Sequence, residues 1–181
     1  MSKRYKHFLG IDLGTTYSAF ATIDEFGKTK ILANKNGNLT TASCVDLSDE
    51  DRIVGNEAKK YYDIKDDVYS RFKRDLGAEP EVTYYNEMTP KILSSYVLQR
   101  LFEDAKQQIE NIKQIIITIP ASFNDKARTE TQEAAKLAGI ELNPDNLIDE
   151  PTAAALFYAQ AQNLKKGNYI AFDLGGGTFD V

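Results

Sequence analysis

The 181-residue chain is 42% hydrophobic and 27% charged, a globular composition with enough apolar content for one good core or two small ones, which excludes a disordered segment. A formal net charge of -5, a pI near 5.0 and no run of Lys or Arg longer than two argue against a nucleic-acid surface. No apolar run approaches the roughly 20 residues of a membrane span, and charge and glycine interrupt MSKRYKHFLGIDLG before a signal-peptide core can form, so neither membrane nor nucleic acid is an expected partner and a cytoplasmic location is expected.

The runs YKHFLGI (5–11) and YSAFATI (17–23) are short, aromatic and β-branched, and DLGTT between them predicts strand, tight turn, strand. KTKILAN (28–34) adds a third strand after the turn at Phe26 and Gly27. Signals weaken over residues 35–90, where NKNGNLTTAS is turn chemistry, DEDRIVG a short strand and GNEAKKYY one or two helical turns. Thr89 followed by Pro90 is a helix start, and Ile92, Leu93, Tyr96, Val97, Leu101, Ala105, Ile109 and Ile112 recur at spacings of three and four, predicting an amphipathic helix of about six turns.

The last third alternates in type. IIITI (115–119) reads as an apolar strand stopped by Pro120, residues 124–138 as a helix ended by Gly139, NLID (146–149) as a short strand, TAAALFYAQ after Pro151 as a helix, and NYIAFD (168–173) as another strand. Near-continuous apolar strands alternating with helices predict an α/β fold with a sheet covered by helices. The lone Cys44 and lone His7 leave no disulfide framework and none of the usual zinc sets, and each reads as an ordinary packed or surface residue.

One pattern occurs twice. IDLGTTY (11–17) and FDLGGGTF (172–179) both run from an apolar residue through Asp, Leu and Gly to small residues, Thr and an aromatic, and each sits at a strand end that opens a hairpin. Asp and Gly are also common turn formers, and for either copy alone that plain reading carries equal weight. Two copies suggest a duplicated architecture whose second half begins at the end of this chain. Backbone N–H groups in such turns form an anion-binding concavity, and glycine lets the backbone approach phosphate oxygens. The carboxylates of Asp12 and Asp173 require a cation between themselves and a phosphate, and Mg²⁺ suits one or two carboxylates plus phosphates and waters. The two turns would then clamp the phosphate tail of one nucleotide. Neither GxxxxGK[ST] nor GxGxxG occurs, so P-loop and dinucleotide-binding readings are weak.

With both turns in view, the chain resembles the ATPase domain of the 70-kilodalton heat-shock chaperones, the DnaK family. The matching blocks are GIDLGTTYS (10–18), FKRDLG (72–77), TIPASFND (118–125) followed by Arg128, DEPTAAA (149–155) and FDLGGGTFDV (172–181), in the family's order. The resemblance implies an actin-like (ribonuclease H-like) ATPase lobe, a mixed sheet flanked by helices, with residues 1–36 and 113–181 as the phosphate-binding subdomain A and 37–112 as an inserted subdomain B. It implies a fragment in which lobe II and the peptide-binding domain are absent, and which is inactive by itself. For the full-length parent it implies an ATP-driven, stress-response chaperone that hydrolyses ATP to ADP and phosphate, with unfolded polypeptides as clients and a J-domain co-chaperone.

By position, the resemblance assigns Asp12 and Asp173 to hydrated Mg²⁺ and to catalysis together with Lys73 and Glu150. Gly14, Thr15, Thr16 and Tyr17 belong to the first phosphate loop, and Gly175, Gly176, Gly177 and Thr178 to the second. Lys73 matches the lysine at the γ-phosphate, and Glu150 the acid that completes the water and metal shell. Pro120 and Arg128 match an interdomain relay. Without the resemblance, Lys73 reads as a surface lysine, Glu150 as a carboxylate at a helix start, and Arg128 as an exposed charge on a helix. Two features depart from the family pattern. Only twelve residues separate Gly77 from Pro90, where a longer segment with a hairpin is usual, so subdomain B is expected to be reduced. The ELNPDNLIDEP stretch is also longer than usual, and Asn146 stands where many members carry an arginine used by J-domain partners. The competing readings are an actin-like or sugar-kinase relative and a binding module that has lost hydrolysis; DEPTAAA with FKRDLG opposes the former, and intact Lys73, Glu150 and both aspartates oppose the latter.

Overall fold

The structure is a computed structural model, and it describes residues 5–48, 51–162, 167–176 and 179–180. Strands β1 (Tyr5–Asp12), β2 (Tyr17–Ile23) and β3 (Thr29–Ile31) form the opening meander. There follow β4 (Thr41–Ala42), β5 (Cys44–Asp46), β6 (Ile53–Val54), a single helical turn α1 (Asn56–Lys59) and β7 (Val68–Ser70). The second half holds α2 (Pro90–Lys106), β8 (Ile109–Ile119), α3 (Asp125–Leu137), β9 (Leu147–Asp149), α4 (Glu150–Gln162) and the hairpin pair β10 (Asp173–Leu174) and β11 (Phe179–Asp180).

Among the described residues the main sheet runs β3-β2-β1-β8-β9, with β4 also pairing β2. The meander pairs are antiparallel, whereas β1 with β8 and β8 with β9 are parallel, which requires the crossovers that α2 and α3 supply. The sheet is therefore mixed and flanked by helices, as the α/β reading anticipates. A second sheet, β6-β5-β7, lies within the 37–112 stretch.

Alternation along β1 and β2 sends Leu9, Ile11, Phe20 and Thr22 to one face, where Leu93, Val97, Leu98 and Leu101 of α2 and Ala134 and Ala135 of α3 close the core. Both helices start on explicit caps. The Thr89 side chain accepts from the Ile92 N–H ahead of Pro90, and Asn124 accepts from the Ala127 N–H. At the far end of α3, Gly139 takes φ +76 and the Ile140 N–H donates to the Ala135 carbonyl, which seats Ile140 in the core.

Two elements differ from the sequence reading. The three-and-four spacing carries α2 on to Ile112, but the helix ends at Lys106, and Ile109 and Ile112 belong to an 11-residue strand. The cause is tertiary: Ile109 and Glu110 pair with Tyr5 and Lys6, and the Gln108 side chain ties the exit to the Ala33 carbonyl. The NYIAFD segment carries no strand over 168–172; among the described residues the main sheet stops at β9, and strand pairing resumes only at Asp173, with Asp180. Tyr169, Ile170 and Phe172 are accordingly exposed.

Candidate functional site: a cleft between two glycine turns

β1 delivers Asp12 to the C-terminal end of a parallel pair, on the face opposite Ile11 and open to solvent. Thr118, its register partner on β8, donates its hydroxyl to Asp12 Oδ1 at 3.1 Å. The turn after Asp12 is anchored by buried Leu13 and by a small hydroxyl network. The Gly14 N–H donates to Ser18 Oγ at 3.1 Å, Ser43 Oγ donates to the Gly14 carbonyl at 2.6 Å, and the two serine oxygens lie 2.9 Å apart. The Ser43 N–H adds a bond to the Thr16 carbonyl at 2.9 Å, so the insert around β5 holds the turn from outside. A Cβ on Gly14 would lie 2.0 Å from the Tyr17 carbonyl oxygen, and only glycine fits.

Tyr17 opens β2 at the rim, where Lys59 of α1 donates to its hydroxyl at 2.7 Å. Gly175 and Gly176 approach the first turn from across the cleft; a Cβ on Gly176 would stand 2.3 Å from Thr16 Oγ1. The two glycine turns are thus in direct apposition. Gly177 and Thr178 lie outside the described residues, and Asp173 is described as the first residue of β10 without its side chain.

Lys73 reaches the same cleft from a 3-10 turn over Phe72–Asp75. Its side chain is only 3% exposed, and its Nζ donates to Glu150 Oε1 at 2.5 Å, Glu150 itself being 13% exposed. A desolvated ammonium needs such a partner, and the first turn of α4 is a favourable place for the carboxylate. The Phe123 ring, 5.8 Å from the ammonium, adds a cation–π contact.

The cleft, about 570 Å³, is lined by Asp12, Gly14, Thr15, Thr16, Tyr17, Lys73, Glu150, Gly175 and Gly176 among the residues singled out by sequence. It also takes in Thr118, Ala153 and Ala154. The latter three lie inside the blocks TIPASFND and DEPTAAA, and the signal for Thr118 is that it stands beside Asp12 in register. Pro120 and Arg128 do not line the cleft. Buried Pro120 ends β8, and Arg128 on α3 donates from Nη2 to Asp149 Oδ1 at 2.7 Å and from Nε to the Phe123 carbonyl at 3.3 Å. Arg128 is therefore engaged with the residue next to Glu150 rather than projecting into solvent alone.

An open cleft with one carboxylate at its mouth, threonine hydroxyls, a glycine-only turn and a buried cation suits an anionic ligand with a metal beside it. The absence of a side chain at Gly14 lets the turn fold back onto the Tyr17 carbonyl, and a tight turn of successive backbone N–H groups is the kind of concavity that can cradle a phosphate. Comparison with known families finds a match to the family model described as Hsp70 protein, over residues 8–84 and again over 64–181. With those two matches spanning nearly all of the sequence, the chain belongs to the Hsp70 family, and its mixed sheet with flanking helices is an actin-like ATPase lobe of the α/β class.

Proposed function

We propose that the chain is the phosphate-binding lobe of a chaperone that couples ATP binding and hydrolysis to the binding and release of unfolded polypeptides. Family membership supports a chaperone nucleotide-binding domain; the observation that supports this site is the meeting of both glycine turns, Asp12, Lys73 and Glu150 in one cleft. Residues 1–36 and 113–181 form subdomain A on this reading, and 37–112 the reduced subdomain B.

In this assignment the Gly14–Tyr17 turn and Gly175–Thr178 hold the phosphates of ATP or ADP from two sides. Asp12 and Asp173 would hold Mg²⁺, which when bound would supply charge neutralisation at the phosphates. Lys73 places an ammonium against the phosphoryl oxygens on which negative charge grows, and Glu150 orients that ammonium and the attacking water. Pro120 and Arg128 carry nucleotide occupancy towards the rest of the protein, with Arg128 acting through Asp149, the neighbour of Glu150. A J-domain co-chaperone is a partner only if its contact tolerates Asn146. The lobe alone turns ATP over negligibly, because in-line attack depends on contacts from both sides of the nucleotide.

The test is calorimetric titration of Mg·ATP into the full-length protein and its Lys73→Ala variant, with phosphate release followed in parallel. Binding by both, with release by the parent alone, is the expected result. Binding without hydrolysis by either protein overturns the ATPase reading in favour of a nucleotide-binding module.

A further inference from the structure

Lys73 sits on a support too small to hold itself. A single 3-10 turn has poor internal hydrogen bonding, and both flanks leave the ordinary backbone region: Arg71 at φ 61 and Gly77 at φ 71. The turn is fixed from outside. Phe72 and Leu76 are buried, and the Gly77 N–H donates to Glu130 Oε2 of α3 at 2.8 Å. A Cβ on Gly77 would lie 2.5 Å from the Ala127 backbone nitrogen, so the chain presses directly on the start of α3.

A further tie comes from the twelve-residue connection to Pro90. The Tyr84 hydroxyl donates to Asp75 Oδ2, two residues after Lys73. Tyr84 is itself held on two sides: its N–H donates to the Met88 carbonyl at 2.7 Å, and its ring leans on Tyr69 at 5.9 Å between centroids. The Tyr69 hydroxyl then donates to the Tyr85 carbonyl at 3.0 Å, and Tyr69 belongs to β7, which leads into the Lys73 turn. The short connection therefore folds back and closes a loop around the lysine's support. Burial, with the Asp75 hydrogen bond adding to it, pushes the Tyr84 phenol well above its usual range, so it stays a donor at any working pH.

We infer that Tyr84 and Asp75 are positioning residues for Lys73, setting the turn so that its ammonium meets Glu150 in the cleft. The inference rests on the reading of Lys73 given above. Loss of the tie lets the turn shift, and a shift of an ångström at a phosphoryl-transfer site costs rate more than ground-state binding.

The experiment uses the full-length protein with Tyr84→Phe, Asp75→Ala, Lys73→Ala and the Tyr84→Phe/Lys73→Ala double variant. Mg·ATP affinity is read by calorimetry, hydrolysis by single turnover of the preformed complex, and folding by thermal unfolding. Tyr84→Phe and Asp75→Ala should each keep affinity within about twofold and slow single-turnover hydrolysis roughly tenfold. Tyr84→Phe should add nothing once Lys73 is gone. Wild-type hydrolysis by Tyr84→Phe and Asp75→Ala, an additive slowing in the double variant, or loss of affinity in step with rate overturns the positioning role while leaving Lys73's role standing. Wild-type hydrolysis by Lys73→Ala overturns the reading of Lys73 and the inference with it. Should Tyr84→Phe fail to fold, Asp75→Ala decides between the same outcomes.

Discussion

The Lys73 ammonium and the Glu150 carboxylate, 77 positions apart in sequence, meet at 2.5 Å in the inner wall of the cleft. The pair joins the two halves of the candidate site: a turn reached through the inserted segment and the first residue of α4. Both charges are largely withdrawn from water, so each depends on the other.

Glu150→Ala leaves that ammonium buried without its carboxylate, and the lobe should lose about 3 kcal/mol, the lower end for a broken buried pair because Glu150 keeps some contact with the cleft. If phosphates bind beside Lys73, as proposed, saturating Mg·ATP should recover part of the loss by supplying a replacement anion. Thermal unfolding of wild type and variant, with and without nucleotide, checks both halves. A variant as stable as wild type without ligand would show that the pair contributes nothing net.

Cys44 gives a prediction at the alkaline end. It is fully buried in β5, and burial pushes its thiol from 9.0 up to about 11, the Val45 backbone hydrogen bond opposing the shift. The folded protein thus keeps the proton while the unfolded chain loses it. Stability is full below pH 9 and declines as pH rises from 9 towards 11, by about 3 kcal/mol at most. Cys44→Ala should flatten that decline in denaturant titrations at pH 8 and pH 10.5, and alkylation of the native thiol at pH 8 should be slow enough to report global opening.

Asp46, also in β5, works in the opposite direction. Burial alone would raise its pKa, but the Ser48 hydroxyl at 2.5 Å, the Ser48 N–H at 2.9 Å and the Lys65 ammonium at 3.6 Å outweigh burial and hold it below its usual value. A depressed carboxylate stabilises above its unfolded pKa and stops doing so as pH falls through the folded value. Ser48→Ala should therefore cost its full amount at pH 7, about 1 kcal/mol for the lost hydrogen bond to the carboxylate, and the gap to wild type should narrow as pH falls through the folded value, so that the variant has the shallower acid limb. Superimposable acid transitions would show that Asp46 does not govern the acid limb.

The sequence is most legible where local chemistry and tertiary structure agree. The Thr89-Pro90 start of α2, the Asn124 cap and Gly139 stop of α3, and the meander around DLGTT all stand where turn and cap residues place them. Legibility fails where pairing decides. Ile109 and Ile112 keep a helical spacing by coincidence, and their strand state is visible only from Tyr5 and Lys6, more than a hundred residues earlier. The cleft divides the same way. Asp12 and the glycines announce themselves by repetition, but the burial of Lys73 and its bond to Glu150 come from packing that no spacing encodes. Without the family resemblance, Lys73 would read as a surface lysine, and Thr118 becomes visible only through its register with Asp12.

Gly14 is where shape is most restrictive. Its backbone conformation is ordinary, so the constraint is contact alone: an added Cβ meets the Tyr17 carbonyl at 2.0 Å, a backbone atom that cannot swing aside. Gly14→Ala must displace the turn, breaking the bonds to Ser18 and Ser43 that shape it, while the core strands beneath remain paired. The expected cost in stability is about 1–3 kcal/mol, typical of forced overpacking, and on the proposed function nucleotide affinity of the full-length protein should fall at least tenfold. Gly27→Ala is the control. Gly27 sits at φ +75 with open space around the missing Cβ, so alanine there strains the backbone by about 1 kcal/mol without approaching the cleft. Equal stability losses with loss of nucleotide binding only in Gly14→Ala would locate the phosphate cradle at the first turn. Unchanged affinity in Gly14→Ala would show that the first turn does not hold the ligand.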